Sequence, residues 1–462
     1  MKILLVIYDN GSYVHYFPMG TAYIAAALRQ SGHDVTIYNQ DVHHYPDNHL
    51  TEYLNQHHFD VVGLGVIGGY YQYRKLLAIS GAVNAAKRRP FYILGGHGPS
   101  PAPAYFLRKT RADAIVIGEG EVTMVELARC LAERRCLADV EGIAYRVDDE
   151  VFINPRRSLI ADIDAVAMPA YDLFPIEYYR LERAPCAAAG DLVMPVLSSR
   201  GCKFKCNFCY RMDKGFRLRS NEAIIEEIKY LKCKYMISYV IFIDELLMSS
   251  VPRTESLCKA MIAARLDVKW WCNGRLNFAR PDLLKLMKAA GCVFINYGIE
   301  AMDDEALKKM NKNLNTRQII RGVEATIAAG VSPGLNIIFG NIDEDLEVLR
   351  KDVAFLKKYG DASQMRTIRP VTPYPGSALF DYAVEKGLIA DIGDFYENKH
   401  VNSDLLTVNF TKLTDDEFYE ALRQANIELV EDYYDKQKSM TLQTIDKLYK
   451  NRDSSFRGFR TT

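Results

Sequence analysis

The chain has no excess of either charge: 58 basic residues stand against 58 acidic ones. Nothing global therefore draws it to nucleic acid or to an anionic membrane. A membrane-spanning apolar run is absent. The N-terminal stretch has a single lysine and is broken by Asp9, too short and too polar for a signal peptide, so a cytoplasmic location without stable membrane insertion is expected. Residues 1–129 contain no cysteine, which excludes a cysteine-held cluster from the first part of the chain. Low-complexity tracts and short repeats are also missing.

What is present is a globular composition, 49% hydrophobic and 25% charged over 462 residues, enough for two substantial domains and a smaller appended one. Ten cysteines without an export signal read as thiols or metal ligands rather than disulfides. Seven are scattered singly. Cys130, Cys136, Cys186, Cys233, Cys258, Cys272 and Cys292 are expected to be small buried hydrophobes.

The first 125 residues alternate β-branched runs at 2–7, 34–38, 61–66, 91–94 and 114–117 with amphipathic stretches such as 23–31 and 73–88, the pattern of a doubly wound parallel sheet. Such sheets bind ligands beyond the carboxyl ends of their strands. Glycines gather there: Gly68-Gly69, Gly95-Gly96-His97-Gly98 and Gly118-Glu119-Gly120-Glu121. A hairpin around Asp148-Asp149-Glu150 and the proline-punctuated stretch after it make 141–190 an expected linker. A second alternation, with strands near 195–198, 239–243, 268–272, 293–297, 332–339 and 364–371, implies a partial βα barrel. Beyond Pro375-Gly376 the pattern is mostly helical, with 415–434 amphipathic and 451–462 polar and frayed. The expected domains are thus 1–140, a linker at 141–190, a barrel at 191–390 and a helical region at 391–462.

Cys202, Cys206 and Cys209 are spaced by four and three residues in a charged loop directly after the first barrel strand, on the face where barrels carry their chemistry. Thiolates at this density hold zinc or an iron-sulfur cluster, and a closed zinc site wants a fourth protein ligand that no neighbouring Cys or His supplies. A four-iron cluster held by three cysteines keeps one iron open to a small molecule's amine and carboxylate.

This spacing, with Phe208 directly before the last cysteine, resembles the radical S-adenosylmethionine superfamily. The resemblance implies a [4Fe-4S] cluster that cleaves S-adenosylmethionine to a deoxyadenosyl radical, fed by an external electron donor such as flavodoxin or ferredoxin. It also implies contacts to that cofactor at later strand ends. Asp244, in Ile243-Asp244-Glu245, would meet nucleoside or substrate, or stand as a solvated strand end. Arg275 would pair with the methionine carboxylate, a geometry guanidinium suits, or form a surface salt bridge. Gly298 would permit close backbone approach, and Glu300 would meet an ammonium or ribose hydroxyl. Phe339-Gly340-Asn341-Ile342-Asp343-Glu344 looks like the superfamily's fifth-strand glycine turn with Ile342 and Asp345 in place of its proline and threonine, and Pro373 lies in a sixth-strand ending that matches well.

A five-stranded α/β domain directly before such a barrel resembles the cobalamin-binding branch of the superfamily, which includes the anaerobic magnesium-protoporphyrin ester cyclase and the hopanoid methylases. The two later glycine turns would then admit the corrin edge and nucleotide tail, and Gly68-Gly69-Tyr70-Tyr71 would form a platform for the lower corrin face. The Asp-x-His-x-x-Gly motif that supplies a cobalt-ligating histidine elsewhere is missing. Asp41-Val42-His43 is a partial echo, so His43, His44 and His97 read as loop residues and cobalt without a histidine ligand is expected.

The leading expectation is a cobalamin-dependent methyltransferase acting on an unactivated carbon, or phosphorus, of a small molecule. A radical cyclase, oxidase or ring-rearrangement enzyme is the alternative, and the motifs do not separate the two. Transfer-RNA methylthiolation would need a second cysteine set in the first domain, and a decayed cobalamin sensor would have lost the cluster cysteines.

Overall fold

The computed structural model describes residues 1–11, 16–212 and 215–455. The chain forms two compact units: Met1–Glu182 with Phe208–Arg219 and Thr372–Val408, and Arg183–Asn207 with Ser220–Val371 and Asn409–Thr462.

In the first unit β1 (Lys2–Ile7), β2 (Asp34–Asn39), β3 (Val61–Gly65), β4 (Phe91–Gly95) and β5 (Ala114–Val116) are parallel. β1 is buried at every position after Lys2, as a strand covered by helices on both faces must be. The core joins Ile3, Leu5, Val61, Ile93 and Val116 to Leu28, Met124 and Leu127 of the flanking helices Met19–Gln30 and Glu121–Ala132. Each such aliphatic side chain contributes roughly 1.5–3 kcal/mol by leaving water. The strand order β2-β1-β3-β4-β5 reverses direction between β1 and β3, and such a reversal is where an open α/β sheet offers its crevice.

The stretch expected to be a linker is part of this unit. β6 (Ile143–Val147) and β7 (Glu150–Ile153) add antiparallel to β5, giving a seven-stranded sheet. Asp148 makes the hairpin turn at φ 51°. Farther along, Tyr171, Phe174 and Tyr179 pack around Phe17 with ring centroids 5.3, 5.0 and 5.5 Å away. The prolines that suggested a linker lie after the hairpin, in a segment held by these aromatics.

The second unit is built on β8 (Val193–Val196). Two short strands follow in the sequence, β9 (Ser199–Gly201) here and β10 (Phe216–Leu218) in the first unit. Then come β11 (Tyr239–Phe242), β12 (Lys269–Gly274), β13 (Cys292–Glu300), β14 (Ser332–Phe339) and β15 (Arg369–Pro370). They form a parallel six-stranded half-barrel ordered β15-β14-β13-β12-β11-β8. β15 has two residues where eight were expected. Its approach is held instead by Asn426, whose side-chain amide accepts from the Ile368 N–H at 2.8 Å and donates to its carbonyl at 2.9 Å.

Asn426 lies on the C-terminal helix Asp415–Tyr449, longer than the expected 415–434 and opened by a reciprocal Thr414–Glu417 capping box. Thr372–Val408, expected to close the barrel and open the helical region, belongs to the first unit. Of the seven single cysteines, Cys130, Cys258, Cys272 and Cys292 are buried as expected, whereas Cys136, Cys186 and Cys233 are exposed. The residues 456–462 of the polar tail lie outside the described residues. No described helix is long and apolar enough to cross a membrane.

Candidate cofactor-binding sites

At the carboxyl edge of the first sheet the backbone itself is the surface. The Val66 N–H donates to the Gly95 carbonyl at 2.9 Å and the Gly98 N–H to the Val66 carbonyl at 3.0 Å, so the β4 turn lies directly on the β3 turn. Gly96 has φ +94°, and a Cβ there would stand 2.6 Å from the Val66 carbonyl oxygen; only glycine fits. A Cβ on Gly98 would meet the Ile67 carbonyl oxygen at 3.3 Å. Buried Ser100 links two turns, donating to the Gly96 carbonyl at 2.7 Å and accepting from the Gly118 N–H at 3.4 Å. Gly118 is left-handed at φ +87°. Beside this bare backbone Ile67 is 63% exposed and Tyr71 44%, apolar surface that a soluble domain normally covers. A cradle without side chains next to exposed apolar groups fits a large, flat, apolar-edged cofactor such as a corrin.

Several sequence-predicted residues of this edge have other work. Glu119 accepts from Arg217 Nη1 at 2.7 and 2.9 Å and from the Ile160 N–H at 2.8 Å, so its carboxylate clamps the 160 and 217 segments and does not line a cofactor surface. Gly120 precedes the helix Glu121–Ala132 and Glu121 is buried in its first turn. Gly69 is the cap of the helix Tyr70–Asn84. Gly68 has Tyr374 at 3.7 Å and the Tyr396 hydroxyl at 3.9 Å from where its Cβ would be, so aromatics from 372–408 flank the predicted platform. His97 is exposed and meets Tyr210 edge-on at 6.1 Å. His44 pairs with Asp9 at 3.0 Å and His43 stacks on Tyr45 at 5.0 Å. Phe208, Cys209 and buried Pro373 also lie in this unit.

In the second unit Cys202 and Cys206 follow β8 in a loop fixed from below and beside. Asp244, at the end of β11 and fully buried, accepts from the Ser198 N–H and hydroxyl, each at 3.0 Å, and from the Ser199 hydroxyl at 2.5 Å. Burial pushes its carboxyl up to about 6 despite those donors. Asp244 is therefore a strut under the cysteine loop, not a free carboxylate for a nucleoside. Asn311 donates to the Lys205 carbonyl at 2.7 Å, and the Asn207 N–H donates to the Met310 carbonyl at 3.0 Å. Asn341 reaches Asn207 at 3.2 Å from the β14 turn, which buried Glu344 closes by accepting from the Gly340 and Asn341 N–H groups at 2.7 and 2.9 Å. Ile342 and Asp345 do not prevent that turn.

Arg275 is 5% exposed, with its guanidinium 3.6 Å from the Phe204 ring centroid and its charge felt at Cys206. Its Nε and Nη2 have no hydrogen-bond partner. Buried donors are rarely left so, and these two form the fork that a carboxylate accepts. Glu300 stands at φ +75°, a strained conformation for a glutamate, with Lys312 Nζ 2.8 Å from Oε1. A Cβ on Gly298 would meet that Oε1 at 2.3 Å, so this glycine makes room for the pair. The ammonium that Glu300 meets is the chain's own.

Among the described residues no three His, Cys, Asp or Glu side chains converge in an arrangement that holds a metal ion. The chemistry of the donor set still fits a cluster: three thiols on a glycine-led loop, with Arg275 beside Cys206 and two of its nitrogens left without partners. Sequence reasoning missed Ser198, Ser199, Phe204 and Lys312, and also Asn273, Asn296, Asn336 and Arg366, which hydrogen-bond to one another across β12–β14. The signal for the asparagines was there: each interrupts an apolar strand once.

Comparison with known proteins gives these sites an identity. A B12 binding domain model matches residues 9–128 and a Radical SAM superfamily model residues 196–356. An uncharacterized methyltransferase of Pyrococcus horikoshii is 29% identical over 84% of this chain and 84% of its own. The anaerobic magnesium-protoporphyrin IX monomethyl ester cyclase of Rubrivivax gelatinosus is 27% identical over 81% and 67%. In fold, the radical S-adenosylmethionine methyltransferase TsrM of Kitasatospora setae, solved with cobalamin and a [4Fe-4S] cluster bound, superposes with a TM-score of 0.72 at 18% identity over 93% of this chain and 88% of that one. The chain belongs to the cobalamin-binding radical S-adenosylmethionine enzymes.

Proposed function

We propose that the protein methylates an unactivated carbon, or phosphorus, of a small molecule. The observation that carries this is a cradle of bare backbone in one unit and, in the other, a cysteine loop beside a buried arginine whose Nε and Nη2 have no hydrogen-bond partner, on a chain whose relatives include methyltransferases.

Cys202, Cys206 and Cys209 would hold the cluster, and Gly68, Gly95, Gly96, His97, Gly98 and Gly118 would form the cobalamin surface with Ile67 and Tyr71. Bound there, the cluster supplies single electrons and cobalamin a carrier for a methyl group. The chain's own contribution is orientation and exclusion of water. Arg275 aims two N–H groups at the methionine carboxylate. Asp244 holds Ser198 and Ser199, and through them the start of the loop, while the Glu300–Lys312 pair keeps two charges neutral inside the barrel wall. A flavodoxin or ferredoxin would deliver the electron, and cysteines that form no disulfide among the described residues suit a reducing, cytoplasmic setting.

The test is anaerobic purification with iron, sulfide and hydroxocobalamin, followed by a visible spectrum and a count of iron, cobalt and zinc. Iron near four and cobalt near one per chain is the expected result. Iron without cobalt would remove the methyl-carrier role, and zinc alone would overturn the mechanism. The relationship to the ester cyclase favours one second reading, radical chemistry without methyl transfer. Label from methyl-labelled S-adenosylmethionine that never reaches product would favour it.

A further inference from the structure

β12, β13 and β14 each turn one asparagine away from the helices. Tyr297, the next residue after Asn296, shows the sense: its hydroxyl meets Thr326 of the helix Thr316–Ala328 at 2.9 Å, so Asn296 lies on the opposite, concave face. There Arg366 donates from Nη1 to Asn336 Oδ1 at 2.5 Å and from Nη2 to Asn296 Oδ1 at 3.3 Å. Asn336 Nδ2 donates to Asn296 Oδ1 at 2.8 Å and to the Tyr297 carbonyl at 3.2 Å. Asn296 Nδ2 donates to Asn273 Oδ1 at 3.0 Å, and Asn273 Nδ2 to the Asp244 carbonyl at 2.8 Å.

The two ends fix the direction of this ladder. Arginine can only donate and a backbone carbonyl can only accept, so each amide between them has its oxygen towards Arg366 and its nitrogen towards β11. Each of the three amide oxygens thereby accepts a hydrogen bond from within the ladder. The N–H groups left unused are one on Asn273, one on Asn296, and three of the five on Arg366.

Among the described residues no carboxylate forms an ion pair with Arg366. The charge nearest in effect, Asp361, accepts instead from the Ser363 N–H at 3.0 Å. Burial lowers the arginine to about 10, the mark of a cation held without a counter-ion. Space has been kept for it, because a Cβ on Gly334 would stand 2.5 Å from Arg366 Nη2, 2.4 Å from Phe294 Cζ and 2.8 Å from Asn296 Oδ1. Trp271 and Phe294 meet edge-on at 6.2 Å beside it, an apolar wall. Asn273, Asn296, Asn336, Trp271 and Arg366 all keep part of their surface open.

We infer that this concave face binds the anionic group, a carboxylate or a phosphate, of the small molecule on which the enzyme acts. Arg366 is its charge partner, and Trp271, backed by buried Phe294, receives the apolar body. The inference takes from the proposed function only that the substrate is a small molecule. The test is anaerobic equilibrium dialysis of the full-length, cofactor-loaded protein against radiolabelled benzoate, phenyl phosphate and benzamide. Saturable binding of benzoate or phenyl phosphate at least about tenfold tighter than that of benzamide is expected, and the tighter of the two identifies the anion. Arg366→Gln should erase the preference and Arg366→Lys retain part of it, with S-adenosylmethionine and cobalamin binding unchanged in both. Equal binding of benzamide, an unaltered preference in Arg366→Gln, or parallel loss of S-adenosylmethionine binding would overturn the inference. Because dialysis needs no turnover, absence of methyl transfer would leave this result standing, and the converse also holds.

Discussion

The two units prepare their sites by opposite means. In the first, the candidate surface is main chain: Gly96 and Gly98 leave out side chains so that one turn can lie on another, and Gly68, Gly95 and Gly118 extend the bare backbone. In the second it is side chain: Asn273 projects from β12, Asp244 and Arg275 from the turns just after β11 and β12, and Arg366 from the segment before β15. Adding an atom should therefore damage the first, and deleting a polar group the second.

The largest effect expected belongs to the second kind. Cys202→Ala, Cys206→Ala or Cys209→Ala should lower deoxyadenosine formation at least about 100-fold, since each thiolate is one of three cluster ligands, while cobalamin uptake, followed by its visible absorption, stays as in the parent. Turnover retained in any of the three would break the cluster assignment.

Next in size is the addition of one methyl group to the first unit. Gly96→Ala forces a left-handed alanine against the Val66 carbonyl, and about 1–3 kcal/mol of strain is expected, read as a lower Tm and weaker cobalamin binding with iron content unchanged. Gly68→Ala is the sharper half of the comparison. Its new Cβ would find only ordinary contacts, the nearest at 3.7 Å, so its Tm should hold while cobalamin binding weakens. A Gly68→Ala protein that binds cobalamin normally would show that the platform is not there.

Arg275→Lys should weaken S-adenosylmethionine binding by about tenfold, because an ammonium offers neither the planar fork nor the stack on Phe204. Equilibrium dialysis measures it, with the iron count as control. Unchanged affinity would make Arg275 a structural partner of the cysteine loop alone.

This difference also decides how much could be read in advance. The strands of the first sheet were legible to within a residue or so because buried parallel strands are short apolar runs, and its glycine turns because glycine marks the backbone position it serves. The cysteine spacing was legible for the same reason, as a local pattern. Side-chain partnerships were not: that Asp244 would be consumed by Ser198 and Ser199, or Glu300 by Lys312, depends on residues 12 to 46 apart meeting across strands. The return of Thr372–Val408 to the first unit was equally hidden, since no periodicity says which core a segment will join.

The smallest effect separates the units by its sign. Asp244 in the second is raised by burial to about 6, so the folded state holds that proton more tightly than the unfolded chain does. Its contribution to stability is present at low pH and is lost as pH rises through 6. Glu397 in the first unit feels burial pushing it up, but Lys109, Tyr73 and Tyr105 together hold it below the usual carboxylate range, so its contribution is present at neutral pH and fades only as pH falls through its folded value. Between pH 8 and pH 5 the two should therefore part. The stability gap between wild type and Asp244→Asn, from denaturant midpoints, should widen on acidification by about 1 kcal/mol, while the gap to Glu397→Gln stays nearly constant. A gap to Asp244→Asn that does not move with pH would mean that the Ser198 and Ser199 hydroxyls already keep the carboxylate ionised, and the strut under the cysteine loop would then be a charge rather than a shared proton.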